Sequence, residues 1–212
     1  MAKIIDPSFE ILTKIDGQEV LKHIEKIART CYRSEDKISK DDSSARQIIS
    51  SLIKLGHEAM IEHYNVSVRF ICDVGFYKDL TRHRIASFAI ESTRYCNYSK
   101  GKFGEELSFI KPVHIVQDSP EYKVWISCME SIEEAYLEMA KLGCRPDQMR
   151  MLLPHSTKAE VNITANLREW RHIFKLRASK YAHPTIVELM IPLLKEFQKQ
   201  IPVIFDDITP DV

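Results

Sequence analysis

The segment from Thr81 to Lys100, TRHRIASFAIESTRYCNYSK, concentrates side chains that can bind an anion. It contains three arginines, one histidine and three serines among few large hydrophobic residues. The planar fork of arginine suits phosphate, and hydroxyl and backbone N–H groups complete such sites. The segment therefore predicts a phosphate-binding site, with a solvated basic surface as the alternative.

Two arginines of this segment, Arg82 and Arg84, flank His83. If the helix predicted before them continues through this tripeptide, the two arginines lie about 200° apart at roughly 3.6 residues per turn. They then cannot bind one point together. They serve two ligands, two subunits, or a backbone that is already leaving the helix.

The overall composition restricts what else the protein can bind. Lys+Arg and Asp+Glu number 30 each, so no global field attracts nucleic acid or acidic membranes. The five cysteines show neither a CxxC pair nor zinc spacing, and His57 and His63 lack a third metal ligand at suitable spacing. No apolar run suits a signal peptide or a membrane span. We therefore expect a single cytoplasmic domain, residues 1–212, with no metal, nucleic acid or membrane partner.

Hydrophobic periodicity predicts the elements that position these residues. Alternation predicts strands at 64–72 and 158–165. Helical spacing predicts helices at 17–29, from the SKDDSS run to Gly56 (burying Ile48, Ile49, Leu52 and Ile53), from Gly75 through Arg82-His83-Arg84, and at 121–142, 167–177 and 184–200. Pro192 predicts a kink or a break in the last helix. Helices and separated strands without a βαβ rhythm predict an α+β fold.

Three blocks of the sequence resemble the flavin-dependent thymidylate synthases. The RHR-x7-S signature of that family is matched by Arg82-His83-Arg84 and Ser92, followed by Arg94-Tyr95. Its GHE…EH segment is matched by Gly56-His57-Glu58 and Glu62-His63. Its R-x-x-L-P…N-x-R…L-R segment is matched by Arg150, Leu153-Pro154, Asn166-Leu167-Arg168 and Leu176-Arg177. The order and approximate separations agree over nearly the whole chain.

This resemblance implies an antiparallel sheet core flanked by helices, of the thymidylate synthase-complementing protein type. It also implies a homotetramer whose active sites are shared between subunits. The implied reaction is the reductive methylation of dUMP to dTMP. Its carbon donor is 5,10-methylenetetrahydrofolate, and FAD carries the hydride that NADPH supplies.

The resemblance also implies a role for each matched residue. The residues expected to bind FAD are His57, Arg82, His83, Arg84, Asn166, Arg168 and His172. The residues expected to bind dUMP are Arg82, Glu91, Ser92, Arg94, Arg150 and Arg177. Arg177 is the expected catalytic residue, which polarises uracil and favours its ionisation at N3. A flavin route agrees with the cysteines, because none lies in the basic setting of an activated nucleophile.

Two positions depart from the family pattern and leave the substrate open. The residue two before Ser92 is Ile90, where the family usually has Glu or Gln, and Asp79 is shorter than the usual Gln or Glu. An isoleucine side chain cannot hydrogen-bond to a nucleotide. One alternative is therefore a flavin-dependent methylase of UMP or another pyrimidine nucleotide. A catalytically inactive flavin- or nucleotide-binding module is disfavoured, because Arg177 and the Asn166-x-Arg168 pair remain.

Overall fold

The computed structural model describes residues 2–100 and 106–211. Its α-helices are α1 (Gly17–Thr30), α2 (Ser43–Lys54), α3 (Val74–Leu80), α4 (Pro120–Lys141), α5 (Pro146–Met149), α6 (Leu167–Arg177) and α7 (Pro184–Gln200). Its strands are β1 (Lys3–Ile5), β2 (Ser8–Ile11), β3 (Asn65–Asp73), β4 (Ser87–Ile90), β5 (Ser108–Ile110) and β6 (Lys158–Asn166). The described residues also form 3-10 helices at Glu35–Lys37, Glu58–His63 and Arg150–Leu152.

The sheet is built around β3 and β6, the two strands that the sequence predicted. Buried residues alternate along β3 at Val66, Val68, Phe70 and Cys72, and along β6 at Ala159, Val161, Ile163 and Ala165. The four strands have the order β2-β3-β6-β4, whereas β1 and β5 form a separate parallel pair. The predicted α+β class with an antiparallel sheet and flanking helices is confirmed.

The sequence pattern did not predict four of the described strands. β1, β2, β4 and β5 are three or four residues long. A segment of that length shows at most two alternations, which is too few to separate a strand from a loop. Long-range pairing, not local pattern, makes these segments strands.

The helix predicted through the basic tripeptide ends earlier than expected. α3 stops at Leu80, Thr81 caps it, and the Arg82 N–H donates to the Asp79 carbonyl at 3.3 Å in a closing turn. His83 is then only 4% exposed, whereas Arg82 and Arg84 are exposed. Burial of one side chain between two exposed ones outweighs helix propensity here. Of the three interpretations of the arginines, a backbone leaving the helix is the observed one.

Two further helix predictions need correction. The sequence predicted a kink or a break at Pro192. α7 is continuous through this residue, so the break is absent from this described helix, and the kink stays a prediction. Its neighbours Leu189, Met190, Leu193 and Leu194 are buried, and this packing holds the helix together across the proline. α2 does end before Gly56, whose φ is +72°, but of its four predicted core residues only Ile49 is fully buried.

The chain divides into two compact units. Unit 1 comprises Met1–Phe9, Arg69–Arg82 and Phe88–Asn162, and unit 2 comprises Glu10–Val68, His83–Ser87 and Ile163–Val212. That the two units form a single domain stays a prediction. No helix among residues 2–100 and 106–211 is long and apolar enough to cross a membrane.

Each unit has its own core and its own tryptophan. In unit 1 the core includes Tyr98, Phe109, Met129 and Tyr136, and the indole N–H of Trp125 donates to Ser156 Oγ at 3.2 Å. In unit 2 the aromatic core is formed by Trp170, Phe174, Phe197 and Phe205. The indole N–H of Trp170 donates to the Val66 carbonyl at 3.0 Å. The indole N–H of each tryptophan therefore has a hydrogen-bond acceptor.

Candidate functional site

A cavity of about 510 Å³ opens in unit 2 beside the first turns of α6. It is lined by Glu58, Glu62, Ile85, Asn166, Arg168, Glu169, His172 and Lys175. Residues three and four apart on a helix are neighbours on one face, which explains why Arg168, His172 and Lys175 face the same space. The volume lies within the usual range for small-molecule sites, about 300–1,000 Å³.

Asn166 begins α6 and lines this cavity. Its side-chain oxygen accepts the backbone N–H of Glu169 at 2.8 Å, so it caps the helix. Capping fixes the side chain in one orientation, and the positive end of the helix dipole lies at this same terminus. One residue therefore both starts the helix and contributes to the cavity wall.

The charges around the cavity are paired within unit 2. Arg168 Nη1 donates to Glu62 Oε1 at 2.5 Å, and its Nε lies 4.0 Å from Glu58 Oε2. Lys175 Nζ lies 3.9 Å from Glu58 Oε1. Side chains from the 3-10 helix Glu58–His63 thus hold the cations of α6 in place. A bound anion would have to compete with these carboxylates.

Arg171 binds Glu58, the first residue of that 3-10 helix. Its guanidinium is buried, donates to Glu58 Oε1 at 3.1 Å, and binds Asp207 through two bonds of 2.6 and 2.8 Å. It also donates to the Ile204 carbonyl. The hydrogen bond from Arg171 lowers the pKa of Asp207 below its ordinary value. A buried guanidinium with several acceptors therefore fixes Glu58 at the edge of the cavity.

His83 makes the most specific contacts of the basic tripeptide. Its Nε2 accepts the Nε–H of Arg177 at 3.0 Å, and its Nδ1 lies 3.4 Å from Glu169 Oε1. Its ring also contacts His172 edge-on, with the centroids 5.5 Å apart. Burial raises the pKa of the Glu169 carboxyl. His83, which was expected to bind FAD, and Arg177, the expected catalytic residue, are therefore joined by a direct hydrogen bond.

His83, Glu169 and His172 are also a possible metal-binding group. One ligand atom from each residue lies within 4.8 Å of the others. The Arg177 N–H, however, points at Nε2 of His83. The sequence analysis expected no metal, and the spacing along the chain could not have indicated this group.

The predicted flavin-binding residues are only partly brought together. Asn166, Arg168 and His172 line the cavity, and His83 contacts His172. His57 is exposed immediately before the 3-10 helix, and Arg84 is exposed beside the lining residue Ile85. His57, Arg84 and Arg82, which lies in unit 1, are not among the residues that line this cavity.

Of the predicted nucleotide-binding residues of unit 1, Glu91 is a carboxylate that is already paired. Glu91 accepts the Tyr98 hydroxyl at 2.9 Å and the Lys158 ammonium at 2.7 Å. Burial, and next the Glu91 charge, raise the pKa of Tyr98. Glu91 lines a cavity of about 340 Å³ with Arg150, and a second cavity of about 330 Å³ with Ile90.

Two buried polar atoms belong to residues that line these cavities. Thr157 Oγ1 and Asn162 Oδ1 are buried and have no hydrogen-bond partner among residues 2–100 and 106–211. Thr157, which is 2% exposed, lines the cavity that contains Arg150, and Asn162 lines the cavity that contains Ile90. Ser92 Oγ accepts the Arg94 N–H at 3.4 Å, and Arg94 itself is exposed. Buried polar atoms without partners are rare, so Thr157 and Asn162 mark unusual polar positions beside these cavities.

Sequence reasoning missed Glu58, Glu62, Glu169, Arg171, Lys158 and Lys175. Glu58 and Glu62 lay within a matched block but received no role. Glu169 is three residues after Asn166 and three before His172, and this spacing on one helical face could have indicated it. Lys158 and Arg171 carry no such local signal, because the acceptors of their side-chain hydrogen bonds lie at least 33 residues away along the chain.

Comparison with known proteins gives a consistent result. Residues 12–203 match the sequence model of the family described as thymidylate synthase complementing protein. The flavin-dependent thymidylate synthase of Pyrococcus abyssi is 31% identical over 79% of this chain and 67% of its own length. That of Corynebacterium glutamicum is 27% identical over 92% of this chain and 81% of its own length.

A solved structure has a similar fold. The UMP/dUMP methylase PolB from Streptomyces cacaoi, bound with 5-Br dUMP, superimposes with a TM-score of 0.78. The match covers 96% of this chain and 95% of that one, at 22% sequence identity. At this identity the likeness is one of fold.

Proposed function

Because this chain belongs to the thymidylate synthase complementing protein family, an enzyme family whose curated relatives are flavin-dependent thymidylate synthases, we propose that it converts dUMP to dTMP. The carbon donor would be 5,10-methylenetetrahydrofolate and the reductant NADPH. The observation that carries the proposal is the α6 cavity, with Arg177 bonded to His83 near its wall.

The residues of the α6 cavity fit a flavin nucleotide. Arg168 and Lys175 offer cations for its phosphates, and the capped N-terminus of α6 offers a positive dipole. Asn166 and His172 offer polar contacts, and exposed His57, Arg82 and Arg84 complete the proposed set. When bound, FAD supplies hydride transfer, which amino-acid side chains cannot perform. The chain's own residues would bind, orient and polarise the reactants.

The proposed nucleotide-binding residues include exposed side chains and the hydrogen-bonded Arg177. Exposed Arg94 and Arg150, with Ser92 and Arg82, suit the phosphate and sugar, and Glu91 suits a hydroxyl. Arg177 would stabilise the negative charge that develops on uracil when N3 ionises. The hydrogen bond from Arg177 Nε to His83 restricts the orientation of the guanidinium, and this restriction supports a catalytic role.

A spectrum and an assay test this proposal together. Purified protein mixed with FAD should show flavin absorbance that persists through gel filtration. The loaded protein should form dTMP from dUMP when both methylenetetrahydrofolate and NADPH are present. A protein that retains no flavin, or one that retains flavin and makes no dTMP, would contradict the proposal at the cofactor or at the reaction.

UMP is the second candidate substrate, and Ile90 is the observation that favours it. Ile90 lines the 330 Å³ cavity where relatives usually have a carboxylate or an amide. The structural neighbour is named for both UMP and dUMP. Competition of dUMP against UMP in single turnover distinguishes the two, and Ile90→Glu should raise the preference for dUMP. Asp79→Glu, which restores the other departing position, is the matched comparison.

We also propose a cytoplasmic homotetramer with shared sites. Tyr95 and Met151 are 76% and 81% exposed, and they adjoin Arg94 and Arg150. Large apolar side chains beside proposed binding residues suit a subunit interface. Mixing inactive Arg84→Ala and Arg177→Ala chains should restore part of the activity, because some hybrid interfaces contain one intact site. A monomeric native mass would contradict the assembly.

A further inference from the structure

Three side chains of unit 2 form a series of polar contacts that ends at Arg177. Arg177 Nε donates to His83 Nε2 at 3.0 Å, and His83 Nδ1 lies 3.4 Å from Glu169 Oε1. Glu169 is in the first turn of α6 and Arg177 is in the last. The imidazole of His83 thus bridges the two ends of one helix.

The direction of the first bond determines the protonation of the ring. Nε2 of His83 accepts a hydrogen bond from Arg177, so it carries no proton. The proton of the neutral ring is therefore on Nδ1, which faces the Glu169 carboxylate. In the opposite tautomer an N–H would face the arginine N–H, and the contact would be repulsive. The Arg177 N–H disfavours a proton on Nε2 and the Glu169 carboxylate favours one on Nδ1, so both contacts stabilise the same tautomer.

We propose that Glu169 is a positioning residue, which fixes the tautomer and ring orientation of His83 and through them the guanidinium plane of Arg177. The proposal rests on the proposed function for its catalytic consequence, since Arg177 must act on the pyrimidine. Its structural part, the tautomer of His83, does not depend on any substrate. His83 accordingly acts on Arg177 in addition to any contact with flavin.

A divalent cation is the competing occupant of this cluster. It would need the Nδ1 or Nε2 lone pair of His83, together with Glu169 and His172. Nε2 already accepts from Arg177, so a cation bound there would displace this hydrogen bond, and a cation bound at Nδ1 would displace the proton that faces Glu169. The arrangement of Arg177, His83 and Glu169 gives both ring nitrogens a partner without a cation, so the geometry favours it.

The first test measures the tautomer directly. Nitrogen-15 NMR of histidine-labelled full-length protein, without flavin, should show His83 with Nδ1 protonated; the resonance is identified by its loss in His83→Asn. Glu169→Ala should shift the ring toward a mixture of tautomers. Glu25→Ala is the control, because Glu25 is another buried carboxylate of unit 2, bonded to Arg29 and Ser44. An unchanged tautomer in Glu169→Ala, or spectra of the parent that report zinc coordination after Zn²⁺ addition, would overturn the proposal.

The second test measures the consequence for the reaction. In protein loaded with FAD, Glu169→Ala should slow single-turnover dTMP formation by about 10- to 100-fold, by analogy with the loss of a carboxylate that orients a metal-binding histidine. Flavin reduction by NADPH and flavin content should change much less. Glu25→Ala should lower thermal stability and leave the ratio of the two rates near that of the parent. A parent without activity would contradict the proposed function alone, whereas an active parent and an equally active Glu169→Ala would contradict this inference.

Discussion

In unit 2 the polar side chains around α6 are paired with one another, whereas in unit 1 the predicted nucleotide-binding arginines are exposed. Arg168 and Arg171 each bind carboxylates from other segments of unit 2. Arg94 and Arg150 are exposed, and a partly buried charged pair of their unit is formed by Glu91 and Lys158. The first arrangement is organised before any ligand arrives, and the second leaves its cations in water until an anion binds. A preorganised group contributes mainly to catalysis, and a solvated cation contributes mainly to binding.

Replacing Arg177 should lower the rate of dTMP formation more than any other proposed substitution. A small effect would contradict the distinction between preorganised residues in unit 2 and exposed arginines in unit 1. Arg177→Ala should lower single-turnover dTMP formation by about 100- to 1,000-fold, the usual cost of removing one preorganised donor. Arg177→Lys should also be impaired, because lysine keeps the charge but loses the planar fork. Flavin content should stay near that of the parent. Near-parental dTMP formation by Arg177→Ala would remove this residue from the mechanism.

Replacing Arg150 should give a smaller effect of a different kind. Loss of a charged hydrogen bond to phosphate costs about 1.5–3 kcal/mol, so Arg150→Ala should raise KM for dUMP by roughly 10- to 150-fold. Its kcat at saturating dUMP should change little. Arg145→Ala is the matched control in unit 1, because Arg145 is also exposed but binds Asp147 at 3.1 Å. A change confined to kcat would mean that unit 1 is also preorganised for catalysis.

The smallest effect concerns the stability of unit 2 in acid. The folded pKa of Asp207 lies below the ordinary 3.8, because Arg171 donates to its carboxylate. The stabilisation by this carboxylate is therefore complete above the unfolded pKa and is lost as pH falls through the folded value. Asp207→Asn should make the free energy of unfolding depend less steeply on pH between about 5 and 2. If the free energy of unfolding of Asp207→Asn depends on pH as steeply as that of the parent, the Arg171–Asp207 pair does not contribute to stability. Asp36→Asn, at an exposed position, is the control.

The sequence predicted those features that depend on neighbouring residues. The alternation at Val66, Val68 and Phe70 predicted β3, and the helical stripes predicted α1, α4, α6 and α7 within one or two residues. The family blocks indicated Asn166, Arg168 and His172, which do line one cavity. Whether the predicted residues perform their expected roles stays a prediction.

The features that the sequence could not predict depend on distant contacts. The helix through Arg82-His83-Arg84 was a wrong prediction, because helical periodicity cannot register that His83 is buried against Glu169 and Arg177. The Glu91–Lys158 pair joins residues 67 apart in sequence, and the Arg177–His83 bond joins residues 94 apart. Such pairs become visible only when the chain folds and brings them together.

Each unit contains one tryptophan, so intrinsic fluorescence can be used to follow each unit separately. Trp125 lies in unit 1 and Trp170 lies in unit 2, and the sequence contains two tryptophans in all. In Trp125→Phe all indole emission comes from unit 2, and in Trp170→Phe all of it comes from unit 1. Denaturant curves followed by this emission and by circular dichroism should coincide in each variant if the chain melts as one cooperative domain. Emission from Trp170, on the helix that lines the α6 cavity, should also report flavin uptake through energy transfer, with no label attached to the protein.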